Sequence, residues 1–183
     1  MKCFFKLNCD SLSIIQQKTI KFLENFTDTF SSPPEQFWNK INTVDFVKYC
    51  PELIQYCNTL NLKVKEISFT YSTSDCLLHI DELPVVAKIN FPILNTENTY
   101  NQWYSIPSAL FDQYPPTVNH FGSKYYSFNG IDLTQCQLLD ETILDAPIVF
   151  NSQIPHLVKM LPNAKFPRIV LAVMFLKEPL HLL

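Results

Sequence analysis

The chain of 183 residues is poor in glycine and in arginine, and each shortage is informative. Gly122 and Gly130 are its only glycines, which excludes the glycine-rich loops that cradle the phosphates of mononucleotides and dinucleotides. A net charge of −3 and an isoelectric point near 5.8 give no electrostatic basis for binding nucleic acid. No run of about 18 apolar residues exists, so we expect no membrane span.

The six cysteines lack any CxxC pair, and the first residues are too few and too polar for a secretory signal. We therefore expect reduced thiols in a cytoplasmic protein, not a disulfide framework. A hydrophobic content of 47% over 183 residues is enough for one domain with a sizeable core.

The first 60 residues show the hydrophobic spacing of helices. Apolar residues recur at helical intervals over 12–26, and 32–35 reads as a capping box that starts a helix carrying Phe37, Trp38 and Ile41. Two more helical segments are predicted over 44–50 and 51–60.

From about residue 62 the period changes to that of strands. Ile67, Phe69 and Tyr71 alternate with polar residues, which is the two-residue period of a half-buried strand. Residues 108–121 are rich in proline and polar groups and predict a surface excursion. Further short strands are predicted at 76–81, 85–93, 102–105, 124–128, 136–139, 147–150, 156–160 and 168–176.

Helices followed by many short strands predict a mainly β, α+β fold, a barrel or sandwich with helices on one outer face. Within a single domain we expect a helical buttress over 1–61, a β core over 62–176 and a tail over 177–183.

A metal-binding set is the first functional candidate. His79 and Asp81 sit two residues apart in a predicted strand, so their side chains project from the same face. His156, at the start of another strand, is the best third ligand. Two histidines and one carboxylate form the facial set of non-haem iron sites, which leaves positions open for other ligands. The His-x-Asp spacing alone is weak, because a strand end with a hydrogen-bonded pair has the same pattern.

Arg168, the single arginine, opens the most apolar stretch of the chain, which reads as a strand buried on both faces. A guanidinium cannot lose its proton to escape burial, so a buried one requires an anionic partner, and its planar fork suits a carboxylate. The other reading places Arg168 at the strand's first residue, reaching solvent or a structural aspartate.

The segments His79-Ile80-Asp81, Ile154-Pro155-His156-Leu157-Val158 and Pro167-Arg168-Ile169-Val170-Leu171-Ala172-Val173 together resemble the core of the Fe(II)/2-oxoglutarate-dependent oxygenases. The resemblance spans about 62–176 and is closest to aspartyl/asparaginyl β-hydroxylase-like members and to those encoded by phages and marine metagenomes.

The resemblance implies a double-stranded β-helix, or jelly roll, of cupin type. It implies that His79, Asp81 and His156 hold Fe(II) and that Arg168 binds the distal carboxylate of 2-oxoglutarate. It further implies consumption of molecular oxygen and hydroxylation of a peptide side chain or small metabolite. Many members carry a serine two residues after the arginine; Val170 stands there, so a second bond to the cosubstrate must come from elsewhere.

Secondary candidates follow from strand geometry. Asn90 and Lys88 share a face opposite Ile89, and Asn90 binds the oxo acid if that face looks into the barrel, or lies in a solvent-facing polar row if it does not. Tyr71 is a candidate for orienting cosubstrate or ligand. Trp103 and Tyr104 line the substrate mouth or belong to the core.

Two other functional classes stay open. A cupin-type metal enzyme without 2-oxoglutarate predicts a further histidine or glutamate ligand near His79 and no anion at Arg168. A non-catalytic jelly-roll binding module predicts that His79 and His156 lie far apart and that Arg168 reaches solvent.

Overall fold

The computed structural model describes residues 2–26, 36–119 and 122–183. The helices are α1 Leu12–Phe26, α2 Thr43–Tyr49, α3 Pro51–Thr59 and α4 Ser108–Phe111. The strands are β1 Phe4–Lys6, β2 Gln36–Lys40, β3 Val64–Ser72, β4 Cys76–Ile80, β5 Ala87–Leu94, β6 Thr99–Ser105, β7 Thr117–Val118, β8 Lys124–Ser127, β9 Gln137–Ile143, β10 Ile148–Asn151, β11 His156–Met160 and β12 Arg168–Phe175. Short 3₁₀ turns cover Leu133–Gln135 and Leu180–Leu182.

Two antiparallel sheets of six strands each form the body of the protein. The first has the order β1-β10-β5-β12-β3-β2, and the second has the order β7-β8-β4-β11-β6-β9. The mainly β class with a few helices is therefore confirmed, and the arrangement is that of a β-sandwich.

Three helices cover the outer face of the first sheet. Helices α1, α2 and α3 bury residues such as Phe22, Phe46 and Leu53 against the odd-numbered side chains of β5 and β12. Full burial of each large apolar side chain contributes roughly 1.5–3 kcal/mol. The helices therefore shield one face of the first sheet from water, and the other face points toward the second sheet.

Local signals explain the helix boundaries. The side chain of Asn42 caps α2 by accepting from the backbone N–H groups of Val44 and Asp45, at 3.1 and 3.3 Å. Pro51 occupies the first turn of α3, where a missing N–H costs nothing. These two helices match the predicted segments closely.

The helical buttress predicted over 1–61 holds three helices, but it also contains two strands that were not predicted. Strands β1 and β2 form the two edges of the first sheet, and Trp38, expected on a helix, lies in β2 opposite Thr70 of β3. The open edge of β3 offers unpaired backbone groups, and pairing with them overrides the local helical spacing. The predicted capping box at 32–35 lies outside the described residues.

The outer face of the second sheet is covered by the predicted excursion. Residues 108–119 form α4 and β7, and Phe111 and Tyr114 pack on Phe128 with ring centroids 5.3 and 5.5 Å apart. At the C-terminus, Glu178 accepts a hydrogen bond from the N–H of Val86, and Leu182 packs on the helix-side core, so 177–183 is attached to the body.

All six cysteines are free, in line with the expectation of thiols. Among the described residues, no helix is both long enough and apolar enough to cross a membrane.

Candidate metal centre

A cavity of about 490 Å³ lies between the two sheets. Its walls come from β2, β3, β5, β10 and β12 of the first sheet and from β4, β6, β8 and β11 of the second. On β3 and β12 the residues that face it are the neighbours of those that face the helices, because successive side chains of a strand point to opposite faces.

Two histidines meet on one wall of this cavity. His79 of β4 and His156 of β11 are directly paired across antiparallel strands, and their ring centroids are 4.3 Å apart. The Nδ1 atom of His79 lies 2.8 Å from the carbonyl oxygen of Leu77, and that of His156 lies 2.9 Å from the carbonyl of Ile154.

A carbonyl only accepts, so each Nδ1 carries the proton and donates it. When either ring is neutral, its lone pair is then on Nε2, the atom that faces Asp81 in the cavity. Backbone anchoring of the distal nitrogen is how metal-binding histidines are usually held.

Asp81 completes the cluster from the position just after β4. Its Oδ1 lies 3.7 Å from His79 Nε2, and its Oδ2 lies 3.5 Å from His156 Nε2. One donor atom from each of the three residues lies within 4.8 Å of the others. Cis ligands bonded to a metal at about 2.1 Å are separated by about 3 Å, so a small contraction would seat one ion.

Lys88 of β5 forms an ion pair with the same carboxylate. Its Nζ lies 2.8 Å from Asp81 Oδ2, and both side chains are largely buried between the sheets. The ammonium also lies 5.5 Å from the ring centre of Phe150. Lys88 therefore neutralises the Asp81 carboxylate from the side of the first sheet.

The cluster shifts the ionisation of its members in different directions. Burial raises the pKa of Asp81, but Lys88 and His156 outweigh it, and the pKa falls well below its ordinary value. Burial and the neighbouring His79 lower the pKa of His156. Burial also lowers the pKa of His79, but the interactions with Cys76 and Asp81 outweigh it and raise that pKa well above the usual range. The pKa values of the two histidines thus move in opposite directions, and two adjacent cations would repel.

Arg168 is the second unusual group in the cavity. It is 3% exposed, and its pKa falls to about 10 because burial disfavours the charged form. Its Nε donates to Thr99 Oγ1 at 3.1 Å and its Nη2 to Asn101 Oδ1 at 3.3 Å, both on β6 of the facing sheet. Across the described ranges 2–26, 36–119 and 122–183, no carboxylate lies within ion-pair distance of it.

Several buried polar atoms in the cavity have no partner. Apart from Asp81 Oδ2, whose one close partner is the Lys88 ammonium, they are Asn90 Oδ1, Asn101 Nδ2 and Trp103 Nε1, from β5 and β6. An unpaired buried polar group costs about 1–3 kcal/mol, so a cluster of them around one cavity points to a bound polar ligand.

The structure brings together most of the residues that the sequence singled out. His79, Asp81 and His156 converge, and Arg168 and Asn90 face the same cavity. Tyr71 does not: it packs in the core under the helices, on the face of β3 opposite the cavity, because it shares the parity of Ile67 and Phe69. Its predicted role with cosubstrate or ligand is therefore wrong.

Trp103 lines the cavity, whereas Tyr104 packs on the outer face of the second sheet. His120 lies outside the described residues. Asn101 escaped the sequence reasoning, as did the pairing of Lys88 with Asp81. The alternation that placed Lys88 beside Asn90 was the available signal for the lysine.

No family model matches the chain, and no curated protein matches it in sequence. The structure is similar to the crystal structure of AviO1 from Streptomyces viridochromogenes Tue57, with 9% identity and a TM-score of 0.52 over 94% of this chain and 89% of that one. It is also similar to the epimerase SnoN in complex with Fe3+, alpha ketoglutarate and nogalamycin RO, with 8% identity and a TM-score of 0.55 over 92% and 75%.

A third match is HygX from Streptomyces hygroscopicus with nickel and 2-oxoglutarate bound, with 10% identity and a TM-score of 0.50 over 93% of this chain and 80% of that chain. At these identities the likeness establishes a shared fold.

The residues present fit a divalent transition metal. Two histidine side chains and a carboxylate are a donor set that such ions prefer, and three ligands would leave further coordination positions for other groups. The buried guanidinium in the same cavity adds a site for an anion.

Proposed function

We propose that the chain is an Fe(II)- and 2-oxoglutarate-dependent oxygenase of the double-stranded β-helix class, which hydroxylates a peptide side chain or a small metabolite. One observation carries the proposal: a two-histidine, one-carboxylate cluster shares a cavity with a buried guanidinium that no described carboxylate neutralises.

His79, Asp81 and His156 are the proposed iron ligands. The backbone carbonyls of Leu77 and Ile154 hold the two rings with Nε2 toward the metal. Lys88 keeps one carboxylate oxygen of Asp81 occupied, which favours a single metal bond through the other. Because a carboxylate is present at this position, hydroxylation is favoured over halogenation, which needs that position open.

Arg168 is the proposed partner of the distal carboxylate of 2-oxoglutarate. Asn90 is a further candidate contact, because turning its amide presents an N–H group to the oxo acid in the same cavity. The structures of SnoN and HygX, which share this fold, hold alpha ketoglutarate and 2-oxoglutarate respectively, and this supports the assignment.

When bound, iron would supply the oxidising chemistry: 2-oxoglutarate is converted to succinate and carbon dioxide, with one atom of molecular oxygen entering succinate and the other entering the substrate. The chain's own contribution is to bind, orient and desolvate. The apolar side chains of Val170, Ala172 and Phe150 exclude water from the cavity walls.

Substrate selection is assigned to the cavity mouth. Asn119, from the excursion after α4, lines the cavity and donates to Glu82 Oε1 at 2.6 Å. The resemblance to aspartyl/asparaginyl β-hydroxylases makes a peptide side chain one candidate substrate, and a small metabolite is the other.

Neither of the other two classes has an observation that favours it. A binding module without a metal does not require two histidine rings 4.3 Å apart beside a carboxylate. Glu82, the carboxylate next to Asp81, is not part of the metal cluster and is hydrogen-bonded to Asn119, so it adds no fourth ligand.

An anaerobic titration with Fe(II) and 2-oxoglutarate tests the proposal. We expect a visible charge-transfer band that requires both additions, because it arises from the oxo acid chelated to the metal. His156→Ala should remove the band, and Arg168→Met should shift its appearance to much higher 2-oxoglutarate concentrations. His181→Ala, outside the cavity, is the matched control. An unchanged spectrum in the wild type would reject the oxygenase assignment.

If the band appears, succinate formation in air without added substrate gives a second readout. Candidate peptides and metabolites can then be ranked by how much they accelerate it.

A further inference from the structure

We infer that Asn101 is the second donor for the distal carboxylate of the oxo acid, reaching it from the sheet that faces Arg168. This rests on the proposed function.

Thr99 aims the guanidinium and is not itself a ligand. The residue is fully buried, and its Oγ1 accepts from Arg168 Nε at 3.1 Å. The same hydroxyl donates its single proton to the carbonyl of Thr96 at 2.9 Å. Having no second proton, Thr99 has nothing to offer an anion.

Asn101, unlike Thr99, keeps a free donor. Its Oδ1 accepts from Arg168 Nη2 at 3.3 Å, which fixes the orientation of the amide, because a guanidinium only donates and would repel the NH₂ end. The Nδ2 atom is left buried without a partner, in a residue that is 7% exposed and lines the cavity.

The polar atom left without a hydrogen-bond partner beside Arg168, Asn101 Nδ2, is therefore a donor. Two of the five guanidinium N–H groups are used, and the remaining ones join the Asn101 NH₂ around one net positive charge. A neutral ligand would leave that charge uncompensated. A carboxylate supplies both the acceptors and the charge.

The position of Asn101 relative to the histidines sets the length of this ligand. Trp103 lies opposite His156 in the strand register, and Asn101 lies two residues away along β6, opposite Val158. Two residues of strand span about 7 Å. An extended five-carbon diacid, with its carboxyl carbons roughly 5 Å apart, reaches from a metal at the histidines to this clamp.

The test compares two oxo acids that differ only at the far end. Binding of 2-oxoglutarate and of 2-oxovalerate, which has a methyl group in place of the distal carboxylate, is measured by calorimetry on the Mn²⁺-loaded protein. Mn²⁺ avoids turnover, so the readout is independent of activity.

We expect Asn101→Leu to weaken 2-oxoglutarate binding roughly 10-fold to 100-fold, the value of a hydrogen bond to a charged group. Binding of 2-oxovalerate should stay within about twofold, because metal chelation alone holds it. Asn101→Asp should weaken 2-oxoglutarate binding further, because the new carboxylate would form an ion pair with Arg168 and compete with the distal carboxylate of the ligand. Asn163→Asp, on the surface turn after β11, is the matched control.

The outcomes separate the two levels of the argument. If both acids bind the wild type and neither Asn101 variant changes the affinity for either acid, the assignment of Asn101 is wrong and the proposed function stands. If an Asn101 variant weakens both acids equally, its role is structural and the inference fails. If neither acid binds the metal-loaded wild type, the proposed function fails and the inference fails with it.

Discussion

The two faces of strand β12 border different surroundings, the helices on one side and the cavity on the other. One face packs under the helices, and its residues are Ile169, Leu171, Val173 and Phe175. The other face lines the cavity, and its residues are Arg168, Val170, Ala172 and Met174. The backbone is shared, so only the alternation of side chains separates a dry core from a site.

Strand β3, next to β12, repeats the contrast. Ile67, Phe69 and Tyr71 face the helices, while Ser68 and Thr70 face the cavity. The first sheet thus packs one face under the helices and lines the cavity with the other, where Val170, Ile148 and Phe150 also belong to a smaller buried cluster. We therefore expect substitutions on the two faces to affect stability and ligand binding separately.

The largest stability effect is expected on the helix side. Leu171→Ala should lower the free energy of unfolding by about 2–5 kcal/mol, because it removes a fully buried side chain from a packed core. The gain in stability on adding Mn²⁺ should be unchanged. Chemical denaturation with and without Mn²⁺ measures both quantities.

Met174→Ala, three residues along the same strand but facing the cavity, is the matched control. It should lower the free energy of unfolding clearly less than Leu171→Ala does, because the Met174 side chain is only half-buried and borders the cavity. Equal losses for the two variants would contradict the division between the faces.

The second effect is confined to the cavity side. At a Mn²⁺ concentration 100 times the dissociation constant, a bound ion should stabilise the wild type by about 2.7 kcal/mol. His156→Ala should abolish this gain because it removes one of the three ligands. Thermal unfolding with and without Mn²⁺, read beside His181→Ala, checks it. A full metal-dependent gain in the His156 variant would show that the ion binds elsewhere.

The third effect concerns Lys88. Lys88→Met should destabilise the metal-free protein by about 2 kcal/mol, because it leaves the Asp81 carboxylate largely buried without its cation. The stabilisation by Mn²⁺ should then exceed that of the wild type, since the metal takes over the neutralisation.

Lys159→Met breaks an exposed ion pair with Asp75 and should cost no more than about 1 kcal/mol. If Mn²⁺ stabilises Lys88→Met less than it stabilises this control, the lysine assists metal binding and does not replace the metal as the cation beside Asp81.

The sequence predicts the two-faced strands well because alternation is a local signal. Alternation in 168–175 and 87–94 was enough to sort the residues of each strand into two faces and to put Lys88 with Asn90, but which face looks into the cavity stayed open. The same rule places Tyr71 with Ile67 and Phe69. The prediction for Tyr71 is wrong because it rests on the short distance along the chain to His79, whereas the alternation of strand β3 puts Tyr71 on the helix side.

What the sequence could not show depends on contacts between the sheets. Strands β1 and β2 exist because they pair with distant edges, and their own residues do not require it. Asn101 matters only because Arg168 reaches across to it, and two residues 67 positions apart carry no local mark of that meeting. The ion pair of Lys88 with Asp81 is a contact of the same kind.

Anomalous diffraction from crystals grown with Mn²⁺ and 2-oxoglutarate tests the central claim most directly. The account predicts one strong manganese peak, bonded to His79 Nε2, His156 Nε2 and a carboxylate oxygen of Asp81, with the diacid extending from it to Arg168. A cavity without manganese at that point, or a diacid bound away from Arg168, would contradict it.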